Sequence, residues 1–164
     1  MIAPIVVADA GPLIAVGKCG QLQLLTKIFG KLHVPQTVLA EAVGGKQKPE
    51  TEGIKAFVTA HCTVQPDRDD LLFRHLMTHL DAGESQAISW AQHLGCAVLI
   101  DERLGRLAAQ AQALPLFGSL GLLLLAKQAG HLKAVAPVIA QMCEQGYLLG
   151  DALVASVLRQ VGEN

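Results

Sequence analysis

Four carboxylates in this chain stand where they could do chemistry together: Asp9, Glu41, Glu84 and Asp101. Asp9 follows the apolar run Ile5-Val6-Val7-Ala8, and Asp101 follows Ala97-Val98-Leu99-Ile100. Short continuous apolar runs of this kind read as buried parallel strands. In an open α/β sheet, ligands bind in the crevice beyond the carboxyl ends of the strands. Two strand-end aspartates far apart in sequence can therefore converge in one crevice. Carboxylates crowded together repel, and a hard cation such as Mg²⁺ or Mn²⁺ neutralises them. One or two such ions activate a water and stabilise charge on a leaving oxygen, as phosphodiester hydrolysis requires.

Each carboxylate also has a plainer role open to it. Asp9 and Asp101 can each cap the helix or turn that follows a strand. Asp81 and Glu84 form a D-x-x-E helix start, close to a capping box. Glu84 nevertheless shares a helical face with Ile88 and Ala91, so it leads the apolar stripe inward. Glu41, in Val38-Leu39-Ala40-Glu41-Ala42-Val43, sits at the edge of an apolar face, where a surface glutamate is the commoner reading. The order and spacing of the four make the stronger argument.

The elements that must position these residues alternate. A strand over about Ile5 to Ala8 is broken by Gly11-Pro12, which opens a short helix over Leu13 to Lys18. A helix over Gln21 to Phe29 is expected to end at Gly30 as a C-cap glycine. A strand over Lys31 to Val34, a helix over Gln36 to Val43 and a mobile polar loop over Gly44 to Gly53 follow. Ile54 to Thr59 is predicted helical and Cys62 to Gln65 extended. Asp69 to Leu80 reads as one helix, and Gly83 to Leu94 as another, ended by Gly95. Beyond the strand at Ala97 to Ile100 come a helix over Leu104 to Ala113 and a strand over Leu114 to Phe117. Helices over Leu120 to Gln128, Ala134 to Gln145 and Asp151 to Val161 complete the chain. Strands alternating with helices predict a mainly parallel sheet with right-handed crossovers.

At 164 residues the chain is expected to be a single domain over 1–164. It is 51% hydrophobic and 16% charged, which excludes disorder; aromatics are only 4%, so the core must be aliphatic. A net charge of −1 argues against a nucleic-acid coat protein, but not against an enzyme that touches a few phosphates. Cys19, Cys62, Cys96 and Cys143 are scattered without a CxxC pair, so reduced thiols in the cytosol are expected. No basic segment precedes the first apolar run, and Leu120 to Ala126 is too short to span a bilayer. A cytoplasmic protein without a membrane partner is the expectation. His75 and His79 have i, i+4 zinc spacing but no intervening glutamate, and read as a polar face. Gly118 to Gly121 (GSLG) lacks a P-loop lysine and reads as a tight turn into packing.

VADAGPLIAVGKCGQLQLL, VPQTVLAEAV, LDAGESQAISWAQHLGCAVLIDERLGRLAA and FGSLGLLLLAKQAG together resemble PIN-domain-like proteins, in an uncharacterised prokaryotic branch near the VapC toxins of toxin–antitoxin pairs. The resemblance covers nearly the whole chain. It implies a three-layer α/β/α fold with a central, mainly parallel sheet, and a Mg²⁺- or Mn²⁺-dependent ribonuclease. It places Asp9, Glu41, Glu84 and Asp101 at the catalytic positions, with Asp9, Glu84 and Asp101 on the metal. Arg103 and Arg106, just beyond Asp101, then meet RNA phosphates, whereas Lys18, Lys127 and Lys133 read as solvated charge. The resemblance also implies a small antitoxin partner, and apolar helices such as Leu120 to Ala126 and Leu153 to Val161 could support a homodimer. The chain departs from the family at Gly11, where a Ser, Thr or Asn usually supports the metal site, and at Ala10, where Thr is usual. Such support normally orients the ligands. The alternative is therefore a catalytically silent PIN-fold binding module. A phosphatase-like enzyme with Asp9 as nucleophile is a third reading, opposed by the lack of an Asp at position 11.

Overall fold

The computed structural model describes residues 3–163. Among the described residues there are five strands: β1 (Ala3–Ala8), β2 (Phe29–Pro35), β3 (Cys62–Gln65), β4 (Ala97–Leu99) and β5 (Leu116–Phe117). The first helices are α1 (Ala10–Lys18), α2 (Gln23–Ile28), α3 (Gln36–Val43), α4 (Thr51–His61) and α5 (Leu71–Leu76). They are followed by α6 (Ala82–Leu94), α7 (Arg103–Ala111), α8 (Ser119–Gln128), α9 (Ala136–Glu144) and α10 (Asp151–Gln160).

The sheet runs β3-β2-β1-β4-β5, and every pairing is parallel. The order reverses at β1, which pairs with β2 on one side and β4 on the other. That reversal opens a crevice at the carboxyl ends of β1 and β4, where ligands bind in such sheets. Asp9 and Asp101 flank it.

Alternation along each strand divides the core into two. Val6, Ala8, Ala97 and Leu99 join one aliphatic cluster with side chains of α1, α2, α8, α9 and α10. Val7, Val98 and Ile100 join the other, with Leu76, Ile88 and Ala91. A strand buried on both faces is apolar at every position, which is why the two runs carry no polar residue until their aspartates. Fully buried side chains such as Leu99 and Ile100 each contribute about 1.5–3 kcal/mol. The architecture is the three-layer α/β arrangement expected.

Several boundaries differ from expectation. Phe29 and Gly30 belong to β2, so Gly30 is no C-cap. Phe29 pairs with Ala3 and packs edge-on against Phe117 at 5.2 Å, and these tertiary contacts outweigh its helical neighbours. The helix expected over Asp69 to Leu80 is only α5; Asp70 caps it by accepting from Phe73 N, and turns occupy the chain beyond Leu76. His75 and His79 thus share no helix, and their exposed rings stack edge-on at 5.8 Å. Helix α4 begins at Thr51, inside the segment expected to be loop. Helix α1 begins directly after Asp9, with Pro12 in its first turn, where a missing N–H costs nothing. The apolar helix α8 buries Leu120, Leu122, Leu123 and Ala126 in the core. Among the described residues, no helix is long and apolar enough to cross a membrane.

Candidate active site

Asp9 stands at the N-cap position of α1 in extended conformation, yet its side chain caps nothing. Its backbone N–H donates to Leu99 O at 2.9 Å, which ties the end of β1 to the end of β4. The residue is 6% exposed, and its Oδ1 has no hydrogen-bond partner. A buried carboxylate oxygen without a partner is costly, and such groups call for an explanation. Burial pushes the Asp9 carboxyl up from 3.8 to about 7; the Ala10 N–H opposes this, and the charges of Asp81, Glu84 and Glu41 add to it. Asp9 therefore forms no cap, and what remains is an inward acid crowded by others.

The N-terminus of α6 gathers those others. Glu84 N donates to Asp81 Oδ1 at 2.8 Å and Glu84 Oε2 accepts from Asp81 N at 3.3 Å, a complete capping box. Glu84 is also 7% exposed, so the cap and the inward orientation coexist. Glu41 Oε1 accepts from Gly83 N at 3.1 Å, satisfying another free N–H of the same helix start. The positive helix terminus favours these carboxylates. Loss of hydration nevertheless raises the pKa of both the surface-exposed Glu41 and the buried Glu84, helped most by the charge of Asp81. Each glutamate keeps unused acceptor capacity, since a carboxylate offers about four lone-pair sites.

Asp101 does not cap α7; the N-cap there is Glu102. Its carboxylate instead reaches across to the start of α8. Oδ1 accepts from Ser119 N at 2.7 Å and Oδ2 from Ser119 Oγ at 2.5 Å. Oδ2 also accepts from the Tyr147 hydroxyl, contributed by the connection between α9 and α10. Burial, and then the charge of Asp101, push the Tyr147 phenol above its ordinary range. The GSLG segment is thus part of the site rather than a mere turn. A Cβ at Gly118 would lie 2.7 Å from Arg106 Nη1 and 3.0 Å from Asp101 Oδ1, so the backbone can approach only because that residue is glycine.

The two arginines diverge. Arg106 Nη1 donates to Ile100 O at 2.9 Å, which holds the end of the β4 segment beside Asp101. Arg103 is exposed in the first turn of α7. Position 11 is open: a Cβ there would meet nothing within 4 Å among the described residues.

The donor set is all hard oxygen, and Asp9 Oδ1 is an orphan that a cation would satisfy; in type and in this vacancy of partners the residues fit a divalent ion. Asp9, Glu41 and Glu84 lie close enough to raise one another's proton affinity. Among the described residues, no three acidic, histidine or cysteine side chains form a ready-made metal cluster. Of Asp9, Glu41, Glu84 and Asp101, Asp101 accepts the most hydrogen bonds.

Sequence reasoning read Asp81 only as a cap and missed Ser119 and Tyr147. A serine opening a helix directly after the last strand was the available signal for Ser119. Nothing local marks Tyr147, which arrives through tertiary packing.

Solved structures include a similar chain, a PilT N-terminus domain protein from the hyperthermophilic archaeon Sulfolobus solfataricus P2. It is 15% identical, with a TM-score of 0.56 over 80% of this chain and 96% of that one, a likeness of fold. Curated proteins gave no match. The family model DUF3368, described as a PIN domain, matches residues 5–163. PIN domains are generally nucleases that use divalent metals, which supports a nuclease-type function. With the model spanning nearly all of the sequence, the chain belongs to this family of PIN domains.

Proposed function

We propose that this chain is a metal-dependent endoribonuclease that hydrolyses RNA phosphodiester bonds. The observation that carries the reading is the buried, unpartnered Oδ1 of Asp9 at the sheet's point of reversal, among the charges of Glu41 and Glu84. A Mg²⁺ or Mn²⁺ ion bound there supplies charge neutralisation and an activated water. Asp9, Glu84 and Asp101 would hold it, and Glu41 would orient the water or add a ligand. Asp9 offers its free oxygen without breaking a hydrogen bond. Glu84 is anchored by its box with Asp81, and Asp101 by Ser119. Arg103 contacts an RNA phosphate at the rim, and Arg106 braces the strand end beneath it.

The partners of this reading are RNA, a small antitoxin protein that restrains the nuclease, and a second copy of the chain, in the cytoplasm. The test is RNA cleavage in Mn²⁺ by the wild type and Asp9→Asn. Loss of cleavage in the variant is expected; equal cleavage by both overturns the assignment.

One observation favours a second reading, a silent binding module: Ser119 and Tyr147 already occupy three acceptor sites of Asp101. Calorimetric titration with Mn²⁺ separates the two: tight binding that Asp101→Asn weakens counts against a silent module.

A further inference from the structure

Asp101 is held from both of its oxygens, and the pattern of that hold is unequal. Oδ1 receives one hydrogen, from Ser119 N; Oδ2 receives two, from Ser119 Oγ and the Tyr147 hydroxyl. A carboxylate has about four acceptor sites, two on each oxygen. Oδ2 is therefore saturated and Oδ1 keeps one site. The carboxylate is fixed in rotation and can face a cation through one oxygen only.

The Tyr147 hydroxyl completes that fixation from a long way along the chain, 46 residues beyond Asp101. The residue that carries it is anchored in turn. Its backbone N–H donates to Met142 O at 3.0 Å, and its ring packs against the main core cluster. The next residues, Leu148 and Leu149, with Leu153 of α10, wall a cleft of about 500 Å³ that opens onto Asp101 and Ser119. Tyr147 thus stands between the C-terminal helices and the acidic crevice.

We propose that Tyr147 is a positioning residue: its hydroxyl saturates Asp101 Oδ2 and thereby presents Oδ1 to the divalent ion. The proposal rests on the metal-dependent reading above. Groups that orient a ligand in this way typically control metal affinity by about 10–100-fold. In this role Tyr147 is not itself a ligand of the ion and acts by orienting the Asp101 carboxylate. A hydroxyl that competed with the ion would act in the opposite direction, so the sign of its removal distinguishes an orienting contact from a blocking one.

The experiment is calorimetric titration of the full chain with Mn²⁺, without RNA, on wild type, Tyr147→Phe, Asp101→Asn and the double variant, each with a thermal unfolding curve. Tyr147→Phe keeps the ring in the core and removes only the donor. The expected result is a loss of Mn²⁺ affinity of about 10–100-fold in Tyr147→Phe, with no further loss when it is added to Asp101→Asn. Unchanged or tighter binding by Tyr147→Phe overturns the proposal, and so does an equal loss in the Asp101→Asn background. A fall in unfolding temperature with unchanged affinity marks a purely structural tyrosine and overturns it also. Failure of the wild type to bind Mn²⁺ overturns the metal-dependent reading itself, and the positioning role with it.

Discussion

Glu41 and Gly83, 42 residues apart, share a hydrogen bond at the start of α6 that leaves no room for a side chain at position 83. A Cβ there would collide with Glu41 Oε2, the far end of a flexible side chain. Gly83→Ala should therefore displace the Glu41 carboxylate without disturbing the backbone. The alanine gains helix propensity and the Gly83 N–H loses its partner, so the net stability change is within about 1 kcal/mol. Mn²⁺-dependent cleavage should fall to the level of Glu41→Gln. Full activity in a stable Gly83→Ala protein would remove Glu41 from the catalytic set.

Asp9 makes the metal-free fold sensitive to pH. Its carboxyl titrates near 7 in the fold against an ordinary 3.8. Between those values the unfolded chain has lost the proton and the folded chain keeps it, so stability falls as pH rises and levels off above about 7. At 1.36 kcal/mol per unit, the ceiling on the loss is about 4 kcal/mol. Asp9→Asn removes this dependence. In chelator, the variant should unfold at a higher temperature than wild type at pH 8, with the difference vanishing near pH 4. A difference that stays constant across that range would refute the buried-acid account.

Glu163 behaves in the opposite sense. Lys127 Nζ donates to it at 2.6 Å, and Val135 N and Ala136 N donate to its two oxygens. The lysine bond and the two backbone bonds lower its carboxyl to about 2. Its contribution is present above the ordinary 4.5 and is lost as pH falls toward 2. Acid unfolding followed by circular dichroism should show the gap between wild type and Glu163→Gln closing in that window. A gap of constant size would mean that the clamp contributes through packing alone.

Arg103 and Arg106 should separate cleanly. Arg103 puts a cation at a helix N-terminus, where the dipole disfavours it by about 0.3–1 kcal/mol. Arg103→Ala should leave stability unchanged or slightly raised, weaken RNA binding, and reduce the salt dependence of that binding by about one unit of slope. Arg106→Ala should lower stability by about 1–2 kcal/mol, because the Ile100 carbonyl loses a charged donor. Filter binding across a salt series, paired with thermal unfolding, checks both; a stability loss from Arg103→Ala would reverse the assignment of roles.

The sheet was legible because Ile5 to Ala8 and Ala97 to Ile100 are apolar at every position, which only doubly covered strands need. Glu84 was legible because its box with Asp81 and its inward phase are both local patterns. What stayed hidden was tertiary. Phe29 carries a helical spacing signal and is nonetheless drawn into β2 by Ala3 and Phe117. Whether Asp101 would cap its own helix or reach across to Ser119 is decided by the approach of β5 to β4, which no local pattern encodes. Tyr147 lies beyond any spacing rule. At Gly11 there is open space, since a Cβ there would meet nothing within 4 Å among the described residues.

The parallel order of the sheet has a consequence for synthesis. Strand β1 is made first, yet one of its flanks is closed by β4, made some ninety residues later. A ribosome-bound chain that has emerged only as far as α6 holds Asp9, Glu41 and Glu84 but neither Asp101 nor the strand that closes that flank of β1. The flank on which Val6, Val7 and Ala8 pair with Ala97, Val98 and Leu99 is therefore completed only once more than half of the sequence has been made.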